Sequence, residues 1–230
     1  MTAGRNRALW RSFAIFAALP DAVLDELPAR SRQKSWRMGE MIFQKGDPGD
    51  FLLAVTDGRI KLFNVSSGGR ELLIRVATPG DLVGEIATLD GSVRSSAAAA
   101  ATPVTAFVLA RRDYRDIATR FPILQEAAIA HLCALLRDTN DRVESISLYQ
   151  LRARLARFLL FTLKQVHGPE LDPEMRLTID LNQSDLGLLV GASRPKLNGI
   201  LNEFREEGYL VQEGAVWRCD VVALRNAAEE

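Results

Sequence analysis

Two short stretches hold side chains whose types and spacing suit chemistry. In the first, Pro79-Gly80-Asp81-Leu82-Val83-Gly84-Glu85-Ile86-Ala87 is followed by Arg94-Ser95-Ser96-Ala97, so a carboxylate, a guanidinium and glycine-bearing turns fall close together. A fixed arginine beside backbone N–H groups suits a compact anion, and a carboxylate can accept from a hydroxyl. Taken alone, Arg94 and Glu85 would equally make a simple ion pair across a loop. In the second stretch, Ser193, Arg194, Lys196, Asn198 and Asn202 crowd one segment. Arginine and asparagine can read base edges while serine and lysine contact phosphate, which suits duplex DNA. A helical hairpin used for protein contacts, with the same polar residues merely solvated, fits that spacing as well.

Other chemistries find few residues. Cys133 and Cys219 lie far apart, and the two histidines, His131 and His167, form no metal or haem constellation. His131 reads as a helix-surface or satisfied core histidine. No nucleophile-elbow pattern is present and few histidines can serve as base, so an enzyme is not expected. The 230 residues carry 29 basic and 29 acidic side chains, which excludes a bulk cationic coat for polyanions but allows a local DNA-reading surface. Phe13 to Leu19, preceded by Arg5, Arg7 and Arg11, imitates a signal peptide but is short and runs into Pro20-Asp21. No apolar run approaches the roughly 20 residues of a membrane span. Cytoplasmic, reducing residence without membrane attachment is the expectation.

The elements that must position these residues follow from periodicity. From Trp36 to about Leu109 short apolar runs alternate with glycine-bearing turns, as in Phe51–Val55 before Asp57-Gly58 and Ile60–Val65 before Ser66-Ser67-Gly68-Gly69. A strand-rich barrel or sandwich is predicted, with Ala97 to Ala101 as its low-complexity run. Helical spacing takes over at Asp113 to Ile117 and Pro122 to Tyr149. There Leu124, Ala128, Leu132, Leu135, Thr139, Val143 and Ile146 fall on one stripe of a helix about seven turns long. Such a helix serves as a dimer seam or as a buried spine, with Thr139 and Asn140 as its polar interruption. A hinge near Ser147 to Leu151 leads into a helix bearing Leu155, Phe158, Leu159 and Leu163, which breaks at Gly168-Pro169, and Asp172-Pro173 continues the loop.

Asn182 to Val190 is predicted as a short helix with Asn182 as N-cap, Asp185 in the capping-box position and Leu186, Leu189 and Val190 on its inner face. Gly191-Ala192 makes the turn. Ser193 caps a second helix that tolerates Pro195 in its first turn and turns Leu197, Ile200, Leu201 and Phe204 inward. Glu203, Glu206 and Glu207 then face away from a duplex. Gly208–Gln212 and Ala215–Cys219 flank Glu213-Gly214 as a two-stranded wing, completing a winged helix-turn-helix.

The Pro79–Ala87 and Arg94–Ala97 stretches resemble the phosphate-binding cassette of cyclic-nucleotide-binding domains. Together with the long helix and the helix-turn-helix, the chain resembles the Crp/Fnr superfamily of transcription regulators over about residues 14 to 225. The resemblance implies a mixed α/β multidomain fold. It comprises an N-terminal double-stranded β-helix (jelly roll) over 14–120, a dimerisation helix over 121–149 and a winged helix-turn-helix over 150–225. It assigns Arg94 to a cyclic phosphate and Glu85 to the ribose hydroxyl. Gly84 serves close backbone approach, Ile86 belongs to the same cassette, and Ser95 with its N–H supplements the phosphate contact. Thr139 and Asn140 fall on positions that approach the purine, one of them from a neighbouring subunit.

The implied effector is cyclic AMP, with cyclic GMP competing, because Asn140 stands where cyclic-AMP-responsive members carry serine. Asn182 and Gln183 align with positions that touch the DNA backbone. Pro195 and Gly199 depart from a glutamate and an arginine of the family's recognition helix, so Arg194 is the one matching arginine and no operator sequence carries over. The implied partners are double-stranded operator DNA, a second copy of the chain and RNA polymerase, with no metal, haem or iron–sulfur cluster. The alternatives are a regulator of the same fold that is ligand-independent or senses a different small molecule, and a cyclic-nucleotide-sensing interaction adaptor.

Overall fold

In the computed structural model, which describes residues 3–69, 71–178, 183–214 and 216–229, the chain divides into two compact units, Met1–Arg137 and Asp138–Glu230. The first unit opens with helix α1 (Ala3–Arg11), a 3-10 turn (Ala14–Phe16) and helix α2 (Asp21–Arg30). Eight strands follow: β1 (Ser31–Trp36), β2 (Met41–Phe43), β3 (Phe51–Asp57), β4 (Ile60–Val65), β5 (Glu71–Ala77), β6 (Leu82–Val83), β7 (Ala97–Ala100) and β8 (Val104–Ala110). A short helix α3 (Glu85–Asp90) interrupts them after β6, and helix α4 (Arg111–Arg120) closes the run.

The strands form two four-stranded antiparallel sheets, ordered β1-β8-β3-β6 and β2-β7-β4-β5, which is the jelly-roll arrangement expected. Strand β3 explains why its sequence is apolar without alternation. Leu53 and Val55 point into the barrel with Trp36, Phe43, Ile60 and Ala98, while Leu52 and Ala54 point outward against Trp10, Phe16, Leu24 and Leu124. Both faces of that strand are covered. The segment that imitates a signal peptide buries Phe13, Ile15, Phe16 and Leu19 in the outer cluster. The alanine run is strand β7, buried between β2 and β4.

Helix α5 (Ile123–Leu148) spans the predicted long helix in 26 residues, and the division between the two units falls within it. Its apolar residues do not form the one stripe predicted. Leu124 and Ala128 are buried in the core of the first unit, whereas the large exposed side chains, besides Ile123 and Leu148 at the helix ends, are Ile129, Leu136 and Val143, each about 60% exposed. The side chain of Ile146 lies outside the described residues.

In the second unit, helix α6 (Leu151–His167) begins and ends where predicted and buries Leu155, Leu159 and Leu163. Strand β9 (Glu174–Thr178), helix α7 (Gln183–Leu189), helix α8 (Arg194–Glu206), strands β10 (Leu210–Glu213) and β11 (Val216–Asp220) and helix α9 (Val221–Ala227) complete it. The wing has three strands, ordered β10-β11-β9, not the two predicted. Only Leu177 of β9 is fully buried, so the strand carries little apolar signal after Asp172-Pro173. Helix α9 is likewise additional to the predicted elements, and Asp220 caps it by accepting from the Ala223 N–H at 2.9 Å.

Candidate functional site

The cassette is built where β6 turns into α3. Gly84 takes a left-handed conformation, φ +83°, and a Cβ there would stand 2.5 Å from the Arg94 guanidinium. Both the backbone and the space therefore demand glycine. The close approach made at Gly84 is that of Arg94 itself, whose Nη1 donates to the Gly84 carbonyl at 2.9 Å and Nη2 to the Phe51 carbonyl at 2.7 Å. The guanidinium lies against the Phe43 and Phe51 rings, 4.3 and 4.4 Å from their centroids. Backbone bonds from Arg94 N–H to the Asp47 carbonyl and from Gly46 N–H to the Arg94 carbonyl, both 2.9 Å, hold the loop to the Gly46-Asp47 turn.

Arg94 is 2% exposed, yet among the described residues no carboxylate comes closer to it than that of Asp50, at 3.8 Å and itself largely in solvent. Burial pushes the guanidinium below its ordinary pKa, and Asp50, Glu85 and Asp47 oppose that shift. Its Nε is buried without a hydrogen-bond partner. A buried cation in that state gains strongly from an anion brought by a ligand. The simple Arg94–Glu85 ion pair considered from sequence is not formed; Glu85 approaches Arg75 instead, at 4.0 Å.

Glu85 is buried, and among the described residues nothing donates a hydrogen bond to its carboxylate. Arg75 also donates to the Leu82 carbonyl at 2.7 Å and stands 3.8 Å from Asp81. Ser95 and Ile86 are exposed beside these two buried charges. Thr139 and Asn140 are exposed on α5 and belong to the second compact unit.

His131 lies between the two expected settings, helix surface and satisfied core. It is half-buried on α5 within the first unit, and its Nε2 is buried without a partner. Burial lowers its pKa and Arg75 acts in the same direction, while Glu85 and Asp81 oppose, so the ring shares the electrostatic surroundings of the cassette. Sequence reasoning missed it, with Arg75, Phe43 and Phe51, because helix and strand periodicity record burial but not which loop lies opposite.

In the second unit, Leu186 of α7, Val190 just beyond it and Leu197, Leu201 and Phe204 of α8 pack on Leu155, Leu159 and Leu163 of α6. Gly187 permits close packing at the helix-turn-helix, since a Cβ there would meet the Ala192 carbonyl oxygen at 2.9 Å, and Gly191 makes the turn at φ +71°. Ser193 occupies the N-cap of α8 but its hydroxyl caps nothing, contrary to expectation. Pro195, in the first turn, removes one of the N–H groups that a cap would serve.

Ser193, Arg194, Lys196 and Asn202 are exposed, and Gln183 and Asn198 are half-buried. Asn198 Oδ1 has no hydrogen-bond partner. Asn202 Oδ1 accepts from Arg205 at 3.0 Å, and Arg205 also donates to Gln212 of the wing at 3.0 Å. Asn182 and the side chain of Asp185 lie outside the described residues. Arg152 of α6 pairs with Glu207 and lies 3.6 Å from Glu203, drawing both carboxylates to its side of α8.

The profile of the cyclic nucleotide-binding domain matches residues 33–121, and that of the Crp-like helix-turn-helix domain matches residues 153–227. The chain is 30% identical over 200 residues to the CRP-like cAMP-activated global transcriptional regulator of Mycobacterium tuberculosis, covering 87% of this chain and 89% of that one. It is 29% identical over 194 residues to the cyclic AMP receptor protein of Thermus thermophilus, covering 84% and 86% respectively. The structure of FixK2 from Bradyrhizobium japonicum superposes with a TM-score of 0.74 at 20% identity, covering 86% of this chain and 96% of that one, a likeness of fold alone.

Proposed function

Because the chain belongs to the Crp/Fnr family of DNA-binding transcription regulators, we propose that it is a homodimer whose operator binding responds to a cyclic nucleotide held by Arg94 and Glu85. The observation that carries this reading is the buried Arg94 guanidinium that, among the described residues, has no anion in hydrogen-bonding contact and an unpartnered Nε. A cyclic phosphate supplies the missing charge, and Ser95 adds its N–H. Glu85, buried and free of donors among the described residues, accepts from the ribose 2′-hydroxyl. The names of the two relatives, one cAMP-activated and one a cyclic AMP receptor, support the same effector class.

Thr139 and Asn140 lie on α5, the helix that also carries Ile129, Leu136 and Val143 at sevens. That heptad spacing of exposed apolar side chains supports a two-stranded seam, with Thr139 on its flank. A ligand that binds the DNA-competent dimer more tightly shifts the population toward it, and operator must then raise ligand affinity by the same factor. In the DNA-bound dimer, Arg194 and Asn198 read base edges. Gln183, Ser193, Lys196 and Asn202 contact the backbone, with Asn182 aligned alongside them.

The test is calorimetric titration of cyclic AMP and cyclic GMP into the full chain, alone and with a duplex selected from a random pool. Binding strengthened by the duplex is expected. Failure of both nucleotides to bind overturns the effector reading, and equal affinity with and without duplex overturns the coupling. The seam is tested by light scattering: the wild type is expected as a dimer and Leu136→Asp as a monomer, whereas a monomeric wild type overturns it. In vitro transcription from a promoter bearing the selected site reads whether the bound dimer recruits or blocks RNA polymerase.

A further inference from the structure

Arg194, Asn198, Asn202 and Arg205, spaced four, four and three, share one stripe of α8. Arg205 alone of the four has no part in the contacts proposed with DNA. It is half-buried, with its guanidinium 5.8 Å from the centroid of the Trp217 ring. Among the described residues its hydrogen-bond partners are two neutral amide oxygens, Asn202 Oδ1 and Gln212 Oε1, each 3.0 Å away, and no carboxylate. Gln212 in turn donates from Nε2 to the Gly214 carbonyl at 3.2 Å, in the turn between β10 and β11. One cation therefore ties the exposed stripe of α8 to the tip of the wing.

A guanidinium has donors and no acceptor, so it decides which end of each amide faces it. Asn202 must turn its oxygen toward Arg205 and its Nδ2 away. That amino group is exposed and meets no acceptor among the described residues. Without the guanidinium, Asn202 would present oxygen or nitrogen outward with similar ease, and an outward oxygen repels a phosphate. Resting on the reading that α8 faces the duplex, we propose that Arg205 is a positioning residue for the DNA backbone. It holds the Asn202 amide with its donors outward, toward a phosphate oxygen, and braces the wing against α8 through Gln212. The positive charge behind the amide polarises it, which strengthens the bond that Nδ2 donates. Arg205 itself touches no base and reaches the duplex only through Asn202 and the wing.

Ethylation interference on a duplex selected from a random pool, with the full chain, reads which phosphates each variant still needs. Asn202→Ala and Arg205→Met are expected to lose the same phosphate, to keep those contacted at the start of α8 by Lys196, and each to weaken binding about tenfold. Because the two residues act as a unit, the double variant should lose less affinity than the product of the single losses. Wild-type binding by Arg205→Met, losses that multiply, or an interference pattern erased throughout, as a merely structural role would give, overturns the positioning. Should Arg205→Met fail to fold, Asn202→Asp decides. It keeps the inward oxygen for Arg205 and replaces the outward donor by an acceptor, so undiminished binding overturns the proposal and loss of that one phosphate contact supports it. Failure of the wild type to bind any selected duplex overturns instead the reading of α8 beneath it.

Discussion

Arg94→Leu separates what the guanidinium does for the ligand from what it does for the fold. Without ligand, it makes two hydrogen bonds, at 2.9 and 2.7 Å, and two ring contacts, at 4.3 and 4.4 Å. Hydrogen bonds of a charged group contribute about 1.5–3 kcal/mol each, and cation–π contacts about 0.5–2 kcal/mol each. Against them stands the desolvation of a cation 2% exposed, several kcal/mol with no close counter-charge. Leucine removes both sides of that balance and keeps apolar contact with Phe43 and Phe51, so ligand-free stability should change by no more than about 2 kcal/mol.

The response to ligand should change far more. A nucleotide at about one hundred times its dissociation constant stabilises the wild type by about 2.7 kcal/mol. Losing about 2 kcal/mol of affinity with the charged partner raises that constant roughly thirtyfold. The same concentration is then only about three times the new constant, and the stabilisation falls to about 0.8 kcal/mol. Differential scanning fluorimetry of both proteins at one fixed nucleotide concentration reads the difference. An undiminished thermal shift in Arg94→Leu would refute the phosphate assignment, and a variant already unfolded without ligand would refute the compensation.

Gly84→Ala places a side chain at φ +83° and against a guanidinium that two rings and two carbonyls hold in place. It should cost about 1–3 kcal/mol in urea unfolding and weaken nucleotide binding together, so an unchanged midpoint and affinity would show that Arg94 yields freely. Arg194→Ala should lower discrimination between matched and mismatched duplexes by about 1–3 kcal/mol, while Lys196→Ala should weaken all duplexes alike and reduce the salt slope by about 1. Fluorescence anisotropy over a salt series distinguishes the two, and unchanged discrimination in Arg194→Ala removes its base-reading role. The hydrogen bond from Arg152 holds the Glu207 carboxyl below its ordinary value of 4.5. The stability this contributes is complete above pH 4.5 and disappears as pH falls through the lower folded value. In calorimetry, wild type should therefore lose melting temperature with acid more steeply than Glu207→Gln, and parallel profiles would count against the pair.

The cassette was legible because its acid, glycines and arginine are near neighbours in the chain, and the helix-turn-helix because its caps, glycine turn and inward leucines follow a local order. What escaped depends on contacts across the fold. Strand β1 is polar from Ser31 to Ser35, with only Trp36 fully buried, so its alternation gives no apolar signal and its place is known only from its pairing with β8. Phe43 and Phe51 carry no sequence signal of their contact with Arg94, whose guanidinium both rings face. Helix α5 is apolar on two faces, and a single stripe drawn through Leu124 and Val143 merges a buried face with an exposed one. His131 was legible as helical, but the burial of its unpartnered Nε2 is set by the tertiary fold.

Zero net charge is compatible with DNA binding because the second unit distributes its charges unevenly. Four of its acids are paired on particular elements: Glu203 and Glu207 with Arg152, Glu174 with Arg218, and Glu213 with Arg176 and Arg218. Arg194 and Lys196, at the exposed start of α8, are in no ion pair among the described residues. Their field is not locally cancelled, and no carboxylate has to be displaced when a phosphate arrives. Few such cations imply a shallow dependence on salt for each subunit, so on the proposed dimer reading tight binding comes from engaging two half-sites at once. The exposed heptad of α5 and the open face of α8 are then parts of one requirement: loss of the dimer should cost far more operator affinity than loss of any one cation.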